Sequence, residues 1–400
     1  MASRSRLVNY QIVSIYPSTC GRSDNIDCGP AGVPFAMTLK RPVDPDALKM
    51  FSFGVFSKLE GAVTAGMIHL GDKLGLYESM SQSVEGDTSS SLAARTNLHE
   101  RWVREWLHNQ VAARIVHSDD LSIDEPVFHL TPEAVLVLAT PDHPSYGMGM
   151  FHRLPQTMGA LNNMPEAFRT GIGHDYDSHG PEGAVGIERS FEPWNQNFLV
   201  PIVLPALQGI ETKLKNGARV ADIGCGSGGA ALLMGSTFPS ASIDGYDISR
   251  YALDRAEERK TEQGITNVHF YDPRTQPISL DHSYDLICTF DCIHDMTRPT
   301  DMMRTIRGAL KDDGTWLLVD IKAHDSLDQN VAKNPMASLL YGISVLSCMS
   351  SAMSEPDGEG LGTLGLSASR AKDMAFDAGF TYFERLDIDH SVNAFYEVRP

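Results

Sequence analysis

The 400-residue chain is 42% hydrophobic and carries a formal charge of −18, with a pI near 5.1, so it is long and apolar enough for two domains with cores of their own. The negative balance argues against nucleic acid as a partner, since binding there rests on neutralising phosphates with Lys and Arg, and no apolar run reaches the roughly 18 residues of a membrane span. Six cysteines, Cys20, Cys28, Cys225, Cys288, Cys292 and Cys348, are scattered without CxxC or zinc-ribbon spacing, which predicts free thiols in a reducing compartment and no bound metal. The start, MASRSRLVNYQIVSIYPSTC, lacks the apolar region of a signal peptide, so the cytoplasm is the expected location. Its basic, Ser-containing character leaves an organelle-targeting reading open.

Residues 1–43 show no helical or strand periodicity and contain Pro17, Pro30, Pro34 and Pro42, which reads as an extended arm. Asp44-Pro45 is a helix start, with Asp as N-cap and Pro at the first helical position. Behind it Leu48, Phe51, Val55, Leu59, Val63, Met67, Leu70 and Leu74 recur at spacings of three and four, predicting a buried amphipathic face. Ser91–Leu98 and Glu100–Ala113 read as a short helix, a tight turn and a second helix, and Arg114–Leu130 as two short strands around a polar turn. Together they resemble a winged helix-turn-helix, expected to occupy residues 44–145. Such a unit either reads DNA through its second helix or dimerises. That helix mixes Glu100, Arg101, Arg104, Glu105 and His108 with Trp102, Trp106 and Leu107, which favours dimerisation.

Thr131-Pro132-Glu133 caps a helix running through Leu138, and Pro141-Asp142-His143-Pro144 marks a domain edge. Residues 146–205 are then expected to form a helical connector, starting with Phe151, Leu154, Met158 and Leu161, and a lid. Gly171–Gly186 is rich in Gly, His and Asp, and a mobile lid suits it better than a metal site built from His174, Asp175, Asp177 and His179. Trp194 and Asn195 are expected at the cofactor entrance.

Val220–Ile223 reads as the end of a buried strand that runs into Gly224-Cys225-Gly226-Ser227-Gly228-Gly229 and then an Ala/Leu/Met helix. The glycines let the backbone approach a ligand and adopt positive φ, beside the free N–H groups of a helix start. Roughly 25 residues after Asp222, a second strand (Ser242–Tyr246) ends in Asp247, where a carboxylate can accept both hydroxyls of a ribose. A nicotinamide fingerprint would read G-x-G-x-x-G and seat a pyrophosphate. Here the spacing is D-x-G-x-G-x-G, and an acidic lip at Asp222 suits a cation and repels a pyrophosphate. The string resembles the first motif of class I S-adenosylmethionine (SAM) dependent methyltransferases.

Further strands are expected at Val268–Tyr271 with Asp272 after it, at Ser283–Phe290, and at Trp316–Val319 following the turn Asp312-Asp313-Gly314. A helix from Ser369 to Ala378 stops at Gly379, and Tyr382–Arg385 and Ala394–Val398 close the sheet. The fold class is therefore α/β: a seven-stranded Rossmann-like sheet over residues 206–400, with a mostly helical winged-helix domain before it.

The segments GDKLGLY (Gly71–Tyr77), RWVREWL (Arg101–Leu107), VADIGCGSG, FDCIHDM (Phe290–Met296), Asn334-Pro335 and Asn393–Pro400 make residues 46–400 resemble small-molecule class I methyltransferases that carry an N-terminal winged-helix dimerisation domain. The resemblance implies a homodimer and a small-molecule acceptor. It assigns Asp222, Gly224, Gly226 and Gly228 to the methionine part of SAM, Asp247 to the ribose, Asp272 to the adenine, and Phe290-Asp291 to the cofactor side of the fourth strand. His294-Asp295 further resembles the His-Asp of plant-type phenolic O-methyltransferases, where the imidazole takes the acceptor proton. A thioether acceptor would need no base, only cation stabilisation, for which Tyr176, Trp194, Asp291 and Asp295 are placed by motif. The arm, the lid and Met336–Gly365 are the expected pocket walls. Three functions follow from these readings: O- or S-methylation of a small molecule, thioether methylation of the kind that makes a dimethylsulfoniopropionate precursor, and SAM sensing by a DNA-binding regulator.

Overall fold

The structure is a computed structural model and describes residues 42–400. The expected arm lies outside these residues except for its last two, as do Cys20 and Cys28. Residues 57–400 form one compact unit.

The seven strands expected for the sheet are present: β1 Arg219–Ile223, β2 Ser242–Tyr246, β3 Val268–Tyr271, β4 Tyr284–Phe290, β5 Leu310–Ile321, β6 Tyr382–Arg385 and β7 Asn393–Arg399. They join one seven-stranded sheet in the order β3-β2-β1-β4-β5-β7-β6. β1 to β5 run parallel, and β7 enters antiparallel between β5 and β6. The order reverses between β1 and β4, and an open α/β sheet leaves its ligand crevice at the carboxyl ends of the strands flanking such a switch. Asp222 and Asp291 fall there. The Asp312-Asp313-Gly314 turn proves to be part of β5: Leu310 pairs with Tyr284, a bulge follows, and pairing resumes at Thr315 with Leu286.

Both faces of the sheet are covered. One core gathers Leu199, Val203, Ala231, Val220 and Leu286, the other Ile287, Ile306, Trp316, Ala371 and Phe380. The polar edge of buried Trp316 is satisfied, its indole N–H donating to Thr289 Oγ1 at 2.9 Å, which lets a large apolar ring sit in mid-sheet without an orphaned donor.

The helical N-terminal region has its own core of Leu76, Tyr77, Leu92, Val103, Trp106 and Leu107. Here two expectations need correction. Helix α1 spans Pro45–Lys73 as its cap predicts, but its buried residues are Thr64, Ile68 and Gly71. Most of the expected core stripe is on the outside, with Phe51 72% and Leu59 59% exposed, and Leu48, Val55, Val63, Leu70 and Leu74 exposed as well. The helix approaches Trp106 closely at Gly71, where a Cβ would stand 2.5 Å from the ring. The second correction concerns the winged motif. After α2 (Leu76–Ser81), α3 (Ser89–Thr96) and α4 (Glu100–Ala112) meet at Asn97 in the left-handed conformation, yet the two wing strands reduce to the single bridges Asp87 with Phe128 and His117 with His129. The intervening Asp119–Glu125 stretch is exposed throughout, Leu121 and Ile123 included, so its short apolar alternation is not packed against a core that would hold a longer ladder. Trp102 is also 77% exposed rather than packed, whereas Trp106 is buried and donates to the Met67 carbonyl at 2.9 Å.

Helix α5 (Pro132–Leu138) starts at Thr131, whose hydroxyl accepts from Ala134 N–H. The expected lid splits in two. Gly171–Asp175 is irregular and Tyr176–His179 a short 3-10 turn, but Gly180–Trp194 is a helix that runs on as a π-helix over Asn195–Val203. Arg189 fixes this helix to the end of α1 through two hydrogen bonds to Asp72, 2.6 and 2.7 Å.

Candidate active site

The glycine loop has the geometry its composition dictates. Gly224, Gly226 and Gly228 have φ of 72°, 53° and 76°, the left-handed region where a side chain is strained. At Gly228 a Cβ would also lie 2.5 Å from the Phe270 ring, whereas at Gly226 it would meet nothing within 4 Å. The loop therefore turns tightly against the sheet and stays open above Gly226. Asp247 holds that shape, Oδ2 accepting from Gly226 N–H and Oδ1 from Ser249 N–H, both at 2.8 Å. Each oxygen keeps a second lone pair.

A cleft opens above the loop, lined among others by Asp222, Gly224, Gly226, Asn195, Arg259 and Phe290. Asp222 is fully buried, and no described donor reaches hydrogen-bond geometry with either of its oxygens. Burial, with Asp247 beside it, raises its carboxyl to about 7, and the Ala231 backbone N–H lowers it. Burial also raises Asp247, lifts Asp295 to about 7, and with Asp320 lifts Asp291 to about 7. Asp291 sits at φ 50° just past β4, its carboxylate accepting from the Asn393 amide. Asp222 and Asp247 are buried and Asp291 and Asp295 half-buried, and the acceptor positions they leave unfilled suit a cation.

His294 is buried in a short 3-10 turn after β4, and the structure corrects its partner. Its Nδ1 lies 2.7 Å from Asp320 Oδ1, at the end of β5, while the adjacent Asp295 makes no hydrogen bond to it. Burial opposes the charged imidazolium, but the Asp320 carboxylate, helped by Cys348, leaves His294 well above its ordinary pKa. Tyr176 is half-buried; burial, together with Asp295 and Asp247, raises its hydroxyl. Trp194 stacks on Phe395 at 5.9 Å and meets Phe290 edge-on at 5.4 Å. It belongs to the sheet core behind Phe290 and is not among the cleft-lining residues. Asp272 is engaged by Arg274, whose guanidinium donates to both carboxylate oxygens at 2.8 to 3.1 Å, and it too lies off the cleft lining.

Four residues of this region were not singled out in the sequence. Asp320 had a signal, since it ends a buried strand as Asp222 does. Arg259, donating to Ser227 O at 3.1 Å and Glu192 at 2.7 Å, is one of several charges on its helix and had none. Arg153 had none either, and Cys348 drew notice only as a free thiol.

Sheet order, glycine loop and acidic crevice together define a Rossmann-like domain preceded by a mostly helical domain. The methyltransferase-domain family matches residues 214–360 and the Rv2258c-like winged HTH domain residues 62–139. Residues of this chain are 25% identical over 118 positions to the (S)-tetrahydroprotoberberine N-methyltransferase of Eschscholzia californica, 30% of this chain and 33% of that one. An uncharacterised methyltransferase of Bacillus subtilis is 32% identical over 103 positions, 26% of this chain and 40% of that one. The chain thus spans about a third to two-fifths of the length of the curated relatives it matches. Among solved structures, human N-acetylserotonin methyltransferase in complex with SAM superposes with a TM-score of 0.61 at 14% identity, covering 90% of this chain and 99% of that one. This is a likeness of fold. The acidic, donor-poor cleft fits SAM, whose methionine end carries a sulfonium and an ammonium, and does not fit a pyrophosphate cofactor.

Proposed function

We propose that this chain is a SAM-dependent methyltransferase acting on a small-molecule acceptor. The observation that carries this is Asp222, a buried carboxylate with both oxygens unpartnered at the mouth of the glycine loop. Asp222 would accept from the cofactor's ammonium, Gly224, Gly226 and Gly228 would admit its chain at close range, and Asp247 would take the ribose hydroxyls on its remaining lone pairs. Asp291 would add negative charge beneath the sulfonium. When bound, SAM supplies an electrophilic methyl group for in-line displacement. The protein's part is then to hold the acceptor atom behind that methyl in a water-poor chamber.

For a hydroxyl acceptor the proton would go to Nε2 of His294, while Asp320 fixes Nδ1 as the donor and so sets the tautomer. The thioether reading has one observation in its favour. Asp320 draws His294 toward the protonated form, so a base role requires the proton to be shed before each turnover. A thioether acceptor imposes no such step, and Asp291, Asp295 and the Tyr176 ring would then steady the product cation.

Two copies are proposed to pair through the N-terminal helices. Phe51, Phe56 and Leu59 are 59% exposed or more on a helix whose apolar stripe a second copy would cover. A DNA-reading role is disfavoured, because Arg101 and Arg104 of α4 are already matched by Glu105 and Glu100.

The test is calorimetry on the full chain with SAM, S-adenosylhomocysteine and NAD. One-to-one binding of the first two, weakened at least tenfold in Asp222→Ala, is the expected result. Binding of NAD in their place would overturn the reading.

A further inference from the structure

Arg153 is a buried cation with no described counter-charge. It follows the short helix Met148–His152 and is 7% exposed. Among the described residues its side chain makes one hydrogen bond, Nη2 to Ser347 Oγ at 3.0 Å, and no ion pair. Its Nε–H is buried without a partner. Ser347 Oγ also lies 3.0 Å from His179 Nε2, so the hydroxyl joins the guanidinium to the 3-10 turn of the lid. Glycines make the room: a Cβ at Gly186 would stand 2.7 Å from Arg153 Cβ, and one at Gly183 the same distance from His179 Cβ.

Ser347 is followed by Cys348, which acts on His294, so the guanidinium lies on the His294 side of the cofactor cleft. Its charge acts on His179, Tyr176 and Asp295, and Tyr176 in turn feels Asp295 and Asp247. The lid segment that brings His174 and His179 here is tied down, Gly173 N–H donating to Met353 O and His174 N–H to Ser350 Oγ, both at 2.9 Å. The His174 Nε2 is a further buried nitrogen without a partner. A charge removed from water is strongly disfavoured unless it is paired, and a guanidinium edge matches a carboxylate in shape and charge. Asp320 holds His294, Asp291 accepts from Asn393 and Asp247 holds the loop, and Asp295, whose carboxyl the Arg153 charge lowers, makes no ion pair with it among the described residues.

Resting on the methyltransferase reading, we propose that the acceptor is a small carboxylic acid whose carboxylate is bound by Arg153, with Ser347 orienting the guanidinium and the His174–His179 turn closing over it. The cofactor side of the chamber thus selects positive charge and the acceptor side negative.

The test uses the full chain saturated with S-adenosylhomocysteine and titrated with butyrate, butyramide or inorganic phosphate. Butyrate is expected to bind in wild type, butyramide at least tenfold more weakly, and Arg153→Gln to lose at least tenfold for butyrate while Arg153→Lys loses less. Equal binding of acid and amide, or unchanged butyrate binding in folded Arg153→Gln, would overturn the proposal. So would phosphate binding more tightly than butyrate. If Arg153→Gln fails to fold, the wild-type comparison of acid with amide and the Ser347→Ala variant, expected to weaken butyrate alone, decide the matter. S-adenosylhomocysteine affinity is read in the same titrations, so its failure would be seen separately from a failure of the carboxylate.

Discussion

The two sides of the crevice are built in different ways. The cofactor side comes from one continuous stretch, Asp222 to Asp247, in which a strand end, three positive-φ glycines and a second strand end are linked by hydrogen bonds inside the stretch. The acceptor side joins Arg153, His174, His179, His294, Asp320 and Ser347, with bonds that bridge as many as 194 positions. A contiguous site can be specified by local spacing, whereas a dispersed one exists only once the sheet and its covering helices have packed. The first suits chemistry that many chains can share, and the second is where we propose an acceptor is chosen.

The largest expected effect falls on the dispersed side. With a hydroxyl acceptor, His294→Ala should lower kcat by about 10²- to 10⁴-fold while cofactor affinity measured by calorimetry stays intact. His294→Gln serves as a folding control, because it can still donate to Asp320. More than about a tenth of the wild-type rate in His294→Ala, flat from pH 6 to 9, would remove the base role and promote the thioether reading. Asp320→Asn should fall between these, retaining the ring's position but not its charge partner, with a rate that depends on pH differently from wild type.

On the contiguous side, Asp247→Ala should weaken S-adenosylhomocysteine at least tenfold, since a charged hydrogen bond contributes about 1.5–3 kcal/mol. Part of that loss would come through the loop it holds. Calorimetry giving unchanged affinity would remove the ribose assignment.

Smaller effects come from pH. With its pKa near 7, Asp222 should be ionised to about a tenth at pH 6 and about nine tenths at pH 8, so SAM affinity should rise up to about tenfold across that interval. The stability of the free protein should move the other way. A carboxyl raised on folding binds more protons in the native state than in the unfolded one, so stability falls as pH rises from the unfolded value near 4 through the folded value near 7. Thermal melts with and without SAM should therefore diverge as pH increases, and parallel curves would show that Asp222 does not meet the cation.

The smallest expected effect on catalysis is at the exposed face of α1. Phe51→Ser with Phe56→Ser should shift sedimentation from dimer to monomer while leaving S-adenosylhomocysteine affinity within about twofold, because surface changes away from a site usually alter energies by under about 0.5 kcal/mol. An unchanged sedimentation coefficient would rule this face out as the pairing surface.

The strands of the sheet, the glycine loop and the helix starts at Asp44 and Thr131 were legible in the sequence, because each depends on residues within one turn or one strand of each other. The spacing from Asp222 to Asp247 likewise set the cofactor side. What sequence could not supply was the choice of neighbour. The stripe Leu48, Phe51, Val55 and Leu59 has helical periodicity whether its cover is this chain or another, so periodicity alone mistook an exposed face for a core. Trp194 and Trp102 show the same ambiguity, one drawn into the sheet core by Phe395 and the other left in solvent. The pairing of His294 with Asp320 rather than Asp295 follows from parallel β4 and β5 ending side by side, which places residues 26 positions apart at 2.7 Å while the adjacent carboxylate points elsewhere. Arg153 is the extreme case: in sequence it is an ordinary arginine after a short helix, and only the packing that strips its water away gives its charge a purpose.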